Sequence, residues 1–142
     1  MRTERELKIE WLSRSKPLRL RLISLKAVRL ERLSRADYGG ITYGERNGHG
    51  SGNSTETKYA AIAETDAEIT QVERELLKIE SEIGSAIDAV PSPVCQAYLR
   101  MRFLAYSSER KIADELGYSL HYIDSVVRKK AIDAVKITDN NR

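Results

Sequence analysis

Apolar residues repeat every seven positions between about Thr55 and Val90, which is the spacing of a coiled-coil helix. One register of the repeat is apolar in every heptad. The register three places later is mostly apolar, with Thr65 as its polar exception. The two registers contain Ile62, Ile69, Leu76, Ile83 and Val90, and Val72, Ile79 and Ala86. This pattern predicts a long amphipathic helix with a narrow apolar seam.

A second helical pattern lies in the N-terminal segment, where the apolar residues between Leu18 and Leu33 cover a wider arc than a two-position seam. Pro17 suits the first turn of a helix that runs to about Ala36. Residues 3–14 then form a shorter helix, either separate or joined through a kink, and Trp11 is suited to anchor it. The wide apolar arc indicates contact with more than one neighbour.

Two breaks divide the chain. The stretch 38–55 contains six glycines and predicts a flexible connection. Pro91 and Pro93 mark the second break, because proline removes a backbone donor and disfavours helix at the preceding residue. We therefore predict a helical domain at residues 1–90, with the Gly-rich loop at 38–55, and a second domain at residues 91–142.

Charge is distributed unevenly along the chain. Residues 1–37 carry eleven Lys or Arg against five Asp or Glu, residues 56–88 carry three against nine, and residues 94–142 carry nine against six. Opposite flanking charges favour an antiparallel hairpin of the first two segments, within one chain or between chains, over two solvated helices without a partner. The predicted fold class is all-α, a coiled-coil-like hairpin followed by a helix-turn-helix domain, and a homo-oligomer is expected.

The segment ERKIADELGYSLHYIDSVVR, residues 109–128, fits two short helices that cross steeply. Ala113 supplies the small side chain that a close crossing needs, and Gly117 supplies the positive φ that the bend needs. Ser107 or Ser108 is predicted to cap the first helix, and Ser119 the second. The buried positions of this motif are predicted to be Ile112, Leu116, Tyr118, Ile123 and Val126.

Residues of the second helix without a core role are predicted to face double-stranded DNA. Arg128 is the best suited to contact guanine through two hydrogen bonds, and basic residues on either side are expected to contact phosphates. The predicted base-edge residues are His121, Asp124, Ser125 and Arg128, the phosphate contacts are Arg110, Lys111, Lys129 and Lys130, and the other members of the DNA-binding set are Ser119, Leu120 and Tyr122.

The run KIADELGYSLHYIDSVVRKKAIDAV resembles the fourth region of bacterial sigma factors and related domains of phage regulators. The layout of the whole chain resembles the phage and prophage transcriptional activators of the RinA and ArpU type. One departure is Lys111, at a position that is often acidic in such domains. The resemblance implies a phage- or prophage-encoded, sequence-specific transcription regulator, with host RNA polymerase as a second partner.

Two other functions remain open from the sequence. The motif also suits a packing or protein-docking unit, in a protein that docks on RNA polymerase or a phage assembly without binding DNA. Asp124 favours this alternative, because phosphate repels a carboxylate unless it accepts a hydrogen bond from a cytosine amino group. DNA packaging in the manner of a small terminase subunit is the other alternative.

No constellation of residues indicates catalysis, so we do not expect an enzyme. His49, Cys95 and His121 lie too far apart in sequence for a metal site, and no cofactor is expected. The glycines lack the Lys-Ser or Lys-Thr pair of a phosphate-binding loop. A single cysteine and the lack of an apolar signal segment indicate the cytoplasm of a bacterial host, and charged residues interrupt every apolar stretch, which argues against a membrane span.

Overall fold

The computed structural model of the protein describes residues 1–41 and 51–137. In these ranges the chain consists of helices and their connections, without strands, so the predicted all-α class is confirmed. None of the helices in the described part of the chain has a stretch long and apolar enough to cross a membrane.

Two helices occupy the N-terminal segment. α1 spans Glu4–Leu12 and begins with a capping box, in which the Thr3 side chain and the Glu6 side chain each bind the other's backbone N–H. α2 spans Ser15–Ile41. The predicted short helix is confirmed as a separate one, and α2 begins two residues before Pro17, which lies in its first turn.

The third helix contains the predicted heptad seam. α3 spans Ser51–Asp88. Ile62, Ile69, Val72, Leu76 and Ile83 are all buried, whereas Ile79 and Ala86 are half-buried. Thr65, the polar exception, is also buried. Its hydroxyl donates to the Ala61 carbonyl oxygen and accepts a hydrogen bond from Arg32. Its polar group is therefore satisfied inside the seam.

The structure describes the two ends of the predicted flexible loop. Residues 38–41 belong to α2 and residues 51–55 belong to α3, so both ends of the predicted 38–55 loop are helical. Each glycine in a helix costs about 1 kcal/mol relative to alanine, which a helix already nucleated by a packed stretch can absorb at its end. The rest of the predicted loop, including His49, lies outside the described residues.

Shorter helices follow the two prolines. α4 spans Pro93–Leu99 and continues as a π-helical turn at Arg100–Leu104. α5 spans Glu109–Leu116. α6, Leu120–Tyr122, is followed without a break by a π-helical turn at Ile123–Val127 and by α7, Arg128–Ala134. We refer to the stretch 120–134 as the C-terminal helix.

The chain forms two compact units. Unit 1 contains residues 1–16 and 77–142, and unit 2 contains residues 17–76. Residues 1–16 and 77–90 therefore belong to unit 1. The predicted boundary at residue 90 instead places them in the hairpin domain. The buried core of unit 1 contains Trp11, Leu12, Ile83, Ile87, Val90, Cys95, Tyr98, Leu99, Phe103, Ile112, Ala113, Ile123, Val127, Ala131, Ile132 and Val135.

Unit 2 consists of parts of α2 and α3, which are joined by contacts of two arginine side chains. Arg29 forms an ion pair with Asp66, and Arg32 donates to the Ala61 carbonyl oxygen at 3.1 Å. Arg32, which follows Arg29 on α2, thus contacts a residue that precedes Asp66 on α3. The buried residues of this unit are Ala36, Ile62, Thr65, Ile69, Val72 and Leu76.

Candidate nucleic-acid interface

The turn between α5 and the C-terminal helix is specified by three local residues. Gly117 has φ 79°, in the left-handed region, and the backbone amides of Gly117 and Tyr118 both donate to the Ala113 carbonyl oxygen at 3.0 Å. Ser119 then caps the next helix by accepting a hydrogen bond from the Tyr122 amide at 3.1 Å. The predicted left-handed glycine and the predicted cap at Ser119 are confirmed, and both follow from local chemistry.

Small and branched side chains of the two helices are buried in the core of unit 1. Ile112, Ala113 and Ile123 are at most 2% exposed, as predicted. Of the two predicted cap residues, Ser108 is the one that caps α5, through the Lys111 amide at 3.2 Å. Because Ala113 has only a methyl group, the backbones of the two helices can approach closely at this point.

Three predicted core positions differ in the structure. Tyr118 is 40% exposed, and Leu116 and Val126 are only half-buried. Val127, at 4% exposure, takes the core position predicted for Val126. The π-helical turn explains this change, because the Arg128 amide donates to the Ile123 carbonyl oxygen and adds one residue to that turn. The prediction of Tyr118 as a core residue was wrong.

Tyr118 instead pairs with Tyr122 on the surface. Their ring centroids lie 5.1 Å apart, with the planes tilted by 34°. Leu120 and Tyr122, both predicted to face outward, are 40% and 41% exposed. The beginning of the C-terminal helix therefore presents an aromatic and apolar patch, formed by Tyr118, Leu120 and Tyr122, beside its polar residues.

The eleven residues predicted to bind DNA all belong to this helical pair and its turn. Arg110 and Lys111 lie in the first turn of α5, and the others lie between Ser119 and Lys130. Ser125 and Arg128 are half-buried. The exposed members are Arg110, Lys111, Ser119, Leu120, His121, Tyr122, Asp124, Lys129 and Lys130.

Arg128 points toward other side chains of unit 1. Its guanidinium lies 3.8 Å from the Asp124 carboxylate, one turn earlier on the same helix. It also lines a cavity of about 210 Å³ whose walls include Tyr98, Arg102 and Ile132. The residue best suited to contact guanine is therefore held by neighbours, and a base contact requires its side chain to turn outward.

A partly buried hydrogen-bond network, missed by sequence reasoning, links Tyr98 and Arg102 to the first residue of α5. The Tyr98 hydroxyl donates to Glu109 Oε1 at 2.7 Å, and Arg102 Nε lies 3.2 Å from the same oxygen. Burial, together with the hydrogen bond to Glu109 and its negative charge, raises the pKa of the Tyr98 hydroxyl well above its usual range. Tyr98 follows the apolar spacing of α4, so the sequence pattern gave no signal of a polar role.

The N-terminal helix α1 contacts the far end of the C-terminal helix. Arg5 donates to both carboxylate oxygens of Asp133, at 3.0 and 2.7 Å, and Lys8 Nζ donates to the Asp133 carbonyl oxygen at 2.9 Å. The Arg5 guanidinium lowers the pKa of the Asp133 carboxyl, chiefly through this hydrogen bond. Trp11 and Leu12 are buried in the same core, so α1 supports the helix that carries the candidate interface.

Comparisons with known proteins leave the function to be argued from this geometry. No family model matches the chain, and no curated protein or solved structure is similar enough to count as a match. The resemblance to the RinA and ArpU type of activator stays a prediction.

Proposed function

We propose that the protein is a sequence-specific DNA-binding transcription regulator, and that α5 and the C-terminal helix act as a helix-turn-helix. The observation that carries the proposal is the turn at Gly117. It follows a buried Ala113 and leads into a helix whose polar residues stay outside the core. A second helix of this kind is what enters a major groove in helix-turn-helix proteins.

The exposed side chains suggest a division of roles. Arg110 and Lys111 on α5 and Lys129 and Lys130 on the C-terminal helix would contact phosphates, which provides affinity but little sequence choice. His121, Asp124, Ser125 and Arg128 would read base edges, with Asp124 accepting a hydrogen bond from a cytosine amino group.

The Arg128–Asp124 pair gives this proposal a testable detail. At 3.8 Å and with both side chains partly exposed, the ion pair adds little to stability, so breaking it costs little. A guanine can then replace Asp124 as the partner of Arg128, while Asp124 becomes available to a neighbouring cytosine. Through this exchange of partners, Arg128 and Asp124 together would recognise a base step that contains a G·C pair.

In this proposal α2 and α3 form an antiparallel helical hairpin attached to the DNA-binding domain. The Arg29–Asp66 and Arg32–Thr65 contacts support it, because basic residues on α2 meet acidic or polar residues on α3. We also propose that the protein belongs to the phage and prophage activators of the RinA and ArpU type, with host RNA polymerase as a partner and without a catalytic activity of its own.

Two substitutions on adjacent residues test the division of roles. Arg128→Ala is expected to weaken the preferred duplex by about 1–3 kcal/mol and to relax choice at one base position, whereas Lys129→Ala weakens all duplexes about equally. The measurement is selection of bound sequences from a random DNA pool with each variant, followed by dissociation constants for the preferred and a scrambled duplex. Full discrimination in the Arg128→Ala variant would contradict the assignment.

The aromatic patch favours a second candidate function, docking on a protein. Tyr118, Leu120 and Tyr122 are each about 40% exposed, and aromatic side chains are enriched at protein interfaces. A docking protein would show no duplex binding even at low ionic strength. It would capture purified RNA polymerase in a manner that Tyr122→Ala abolishes and Lys129→Ala leaves unchanged.

A further inference from the structure

α2 carries a second apolar stripe in addition to the one that contacts α3. Leu20, Ile23 and Leu30 are 58%, 58% and 68% exposed, and Ala27 lies between them. The spacing 20, 23, 27 and 30 is that of a heptad seam. We call these four residues the outer stripe of α2.

The outer stripe lies on the side of α2 away from α3. The residues that contact α3, Arg29 and Arg32, and the half-buried Leu22 and Leu25 follow the same helical periodicity on the opposite face. A soluble helix normally has one apolar stripe and a polar opposite face. Three large apolar side chains in a seam on that opposite face indicate a second helix as neighbour.

The charge on α2 restricts what that neighbour is. Residues 17–36 carry six Arg or Lys and one Glu, and the exposed Arg21 and Lys26 belong to this basic helix. Two such stripes facing each other would bring like charges together, which is unfavourable. The neighbour is therefore expected to be acidic.

The outward side of α3 in this same chain has the required properties. Residues 56–76 carry six Asp or Glu against two Lys or Arg. Ala60, Ala63 and Ala67 are exposed on the side of α3 opposite the buried seam, with the exposed Glu64 and Glu68 beside them. Small residues accept the larger side chains of a facing helix, and the carboxylates face its basic flanks.

We propose that the outer stripe of α2 docks against the outward, alanine-lined side of α3 in a second copy of this chain. The contact is head-to-tail, because it joins two different surfaces, and a bound pair leaves the α3 surface of one copy and the α2 stripe of the other free. Such a contact continues from copy to copy until it closes into a ring or grows as a filament. It involves unit 2 alone and does not depend on DNA binding by unit 1.

Mixing two variants of the full chain tests this arrangement. Ile23→Glu places a carboxylate in the outer stripe of α2, and Ala67→Arg places a cation on the facing side of α3. Each variant alone is expected to be monomeric when its mass is measured by light scattering after gel filtration, whereas the wild-type chain forms an assembly larger than a dimer. An equimolar mixture is expected to form a heterodimer, since each variant retains the surface that the other has lost.

The matched control is Val28→Glu, which adds the same charge at a position 41% exposed but outside the outer stripe, and it is expected to assemble like the wild type. Circular dichroism of each variant checks that it folds. A monomeric wild type, an Ile23→Glu chain that still assembles, or an Ala67→Arg chain that assembles unaided would overturn the proposal. Wild-type monomers that bind phosphatidylglycerol vesicles through Ile23 would overturn it in favour of a membrane surface. No DNA is present, so failure here is separate from failure of the proposed function.

Discussion

At the scale of single residues, a hydrogen bond from the core of unit 1 holds the first residue of α5. Tyr98 is fully buried, and its hydroxyl donates to Glu109, the first residue of α5. Arg102, in the π-helical turn that continues α4, pairs with the same carboxylate. A buried hydroxyl without this acceptor would cost free energy, so the contact fixes α5 relative to α4 and thereby positions the candidate interface.

Removing the Tyr98 hydroxyl tests this contact. Tyr98→Phe is expected to lower the free energy of unfolding by about 2 kcal/mol at pH 7, because a hydrogen bond to a charged acceptor is lost. Urea denaturation followed by circular dichroism measures the change. A variant as stable as the wild type at pH 7 would show that the hydroxyl contributes nothing.

The same variant gives a pH dependence with a definite sign. The pKa of Tyr98 is raised in the folded chain, so its contribution is complete below the unfolded-state pKa of about 10 and declines as pH rises above it. The stability difference between wild type and Tyr98→Phe should therefore stay constant up to about pH 10 and shrink between about pH 10 and pH 12. A difference that stays constant across this window would contradict the assigned shift.

At the scale of elements, replacement by alanine should have opposite effects on stability at Gly117 and at Gly84. Gly117 has φ 79°, and an added Cβ at either Gly117 or Gly84 meets no atom within 4 Å. Gly117→Ala is expected to destabilise the chain by about 1–2 kcal/mol through the left-handed backbone alone. Gly84→Ala, inside α3, is expected to stabilise it by about 0.5–1 kcal/mol.

Thermal unfolding of both variants, with Gly117→Asn as a third, checks this contrast. Asparagine tolerates the left-handed region better than alanine, so its cost should be smaller. Equal effects of alanine at the two positions would show that the turn does not depend on the positive φ.

The elements also show which features a sequence can reveal. The Gly117 turn and the Ser108 and Ser119 caps were predictable, because each is decided within a few residues. The burial of Val127 in place of Val126 was not, since the π-helical turn at Ile123–Val127 leaves no signature in the apolar spacing. The pairing of Arg5 with Asp133 was not predictable either, because it joins residues 128 positions apart.

At the scale of the whole molecule, both ends of the chain contribute to one core. Trp11 and Leu12 from α1 and Ile83 and Ile87 from α3 are buried with the residues that follow Pro93. A fragment of residues 91–142, the domain predicted from the sequence, lacks all four. Fully burying side chains of this size contributes about 1.5–3 kcal/mol each, comparable in sum to the stability of a small domain.

The fragment is therefore expected to lose helicity and to unfold without a cooperative transition. Far-ultraviolet circular dichroism during heating, with the full chain as control, measures both properties. A fragment that melts cooperatively near the midpoint of the full chain would show that residues 91–142 fold alone.

The central claim, that the basic residues around the C-terminal helix contact DNA, is tested most directly by the salt dependence of binding to a random-sequence duplex. With four phosphate contacts, from Arg110, Lys111, Lys129 and Lys130, affinity should fall about 100-fold between about 50 and about 200 mM salt. Replacing Lys129 and Lys130 by alanine should lower the slope of log K against log salt concentration by about 2. Fluorescence anisotropy of a labelled duplex gives both values. The absence of duplex binding at low ionic strength, or a slope that these replacements leave unchanged, would contradict the account.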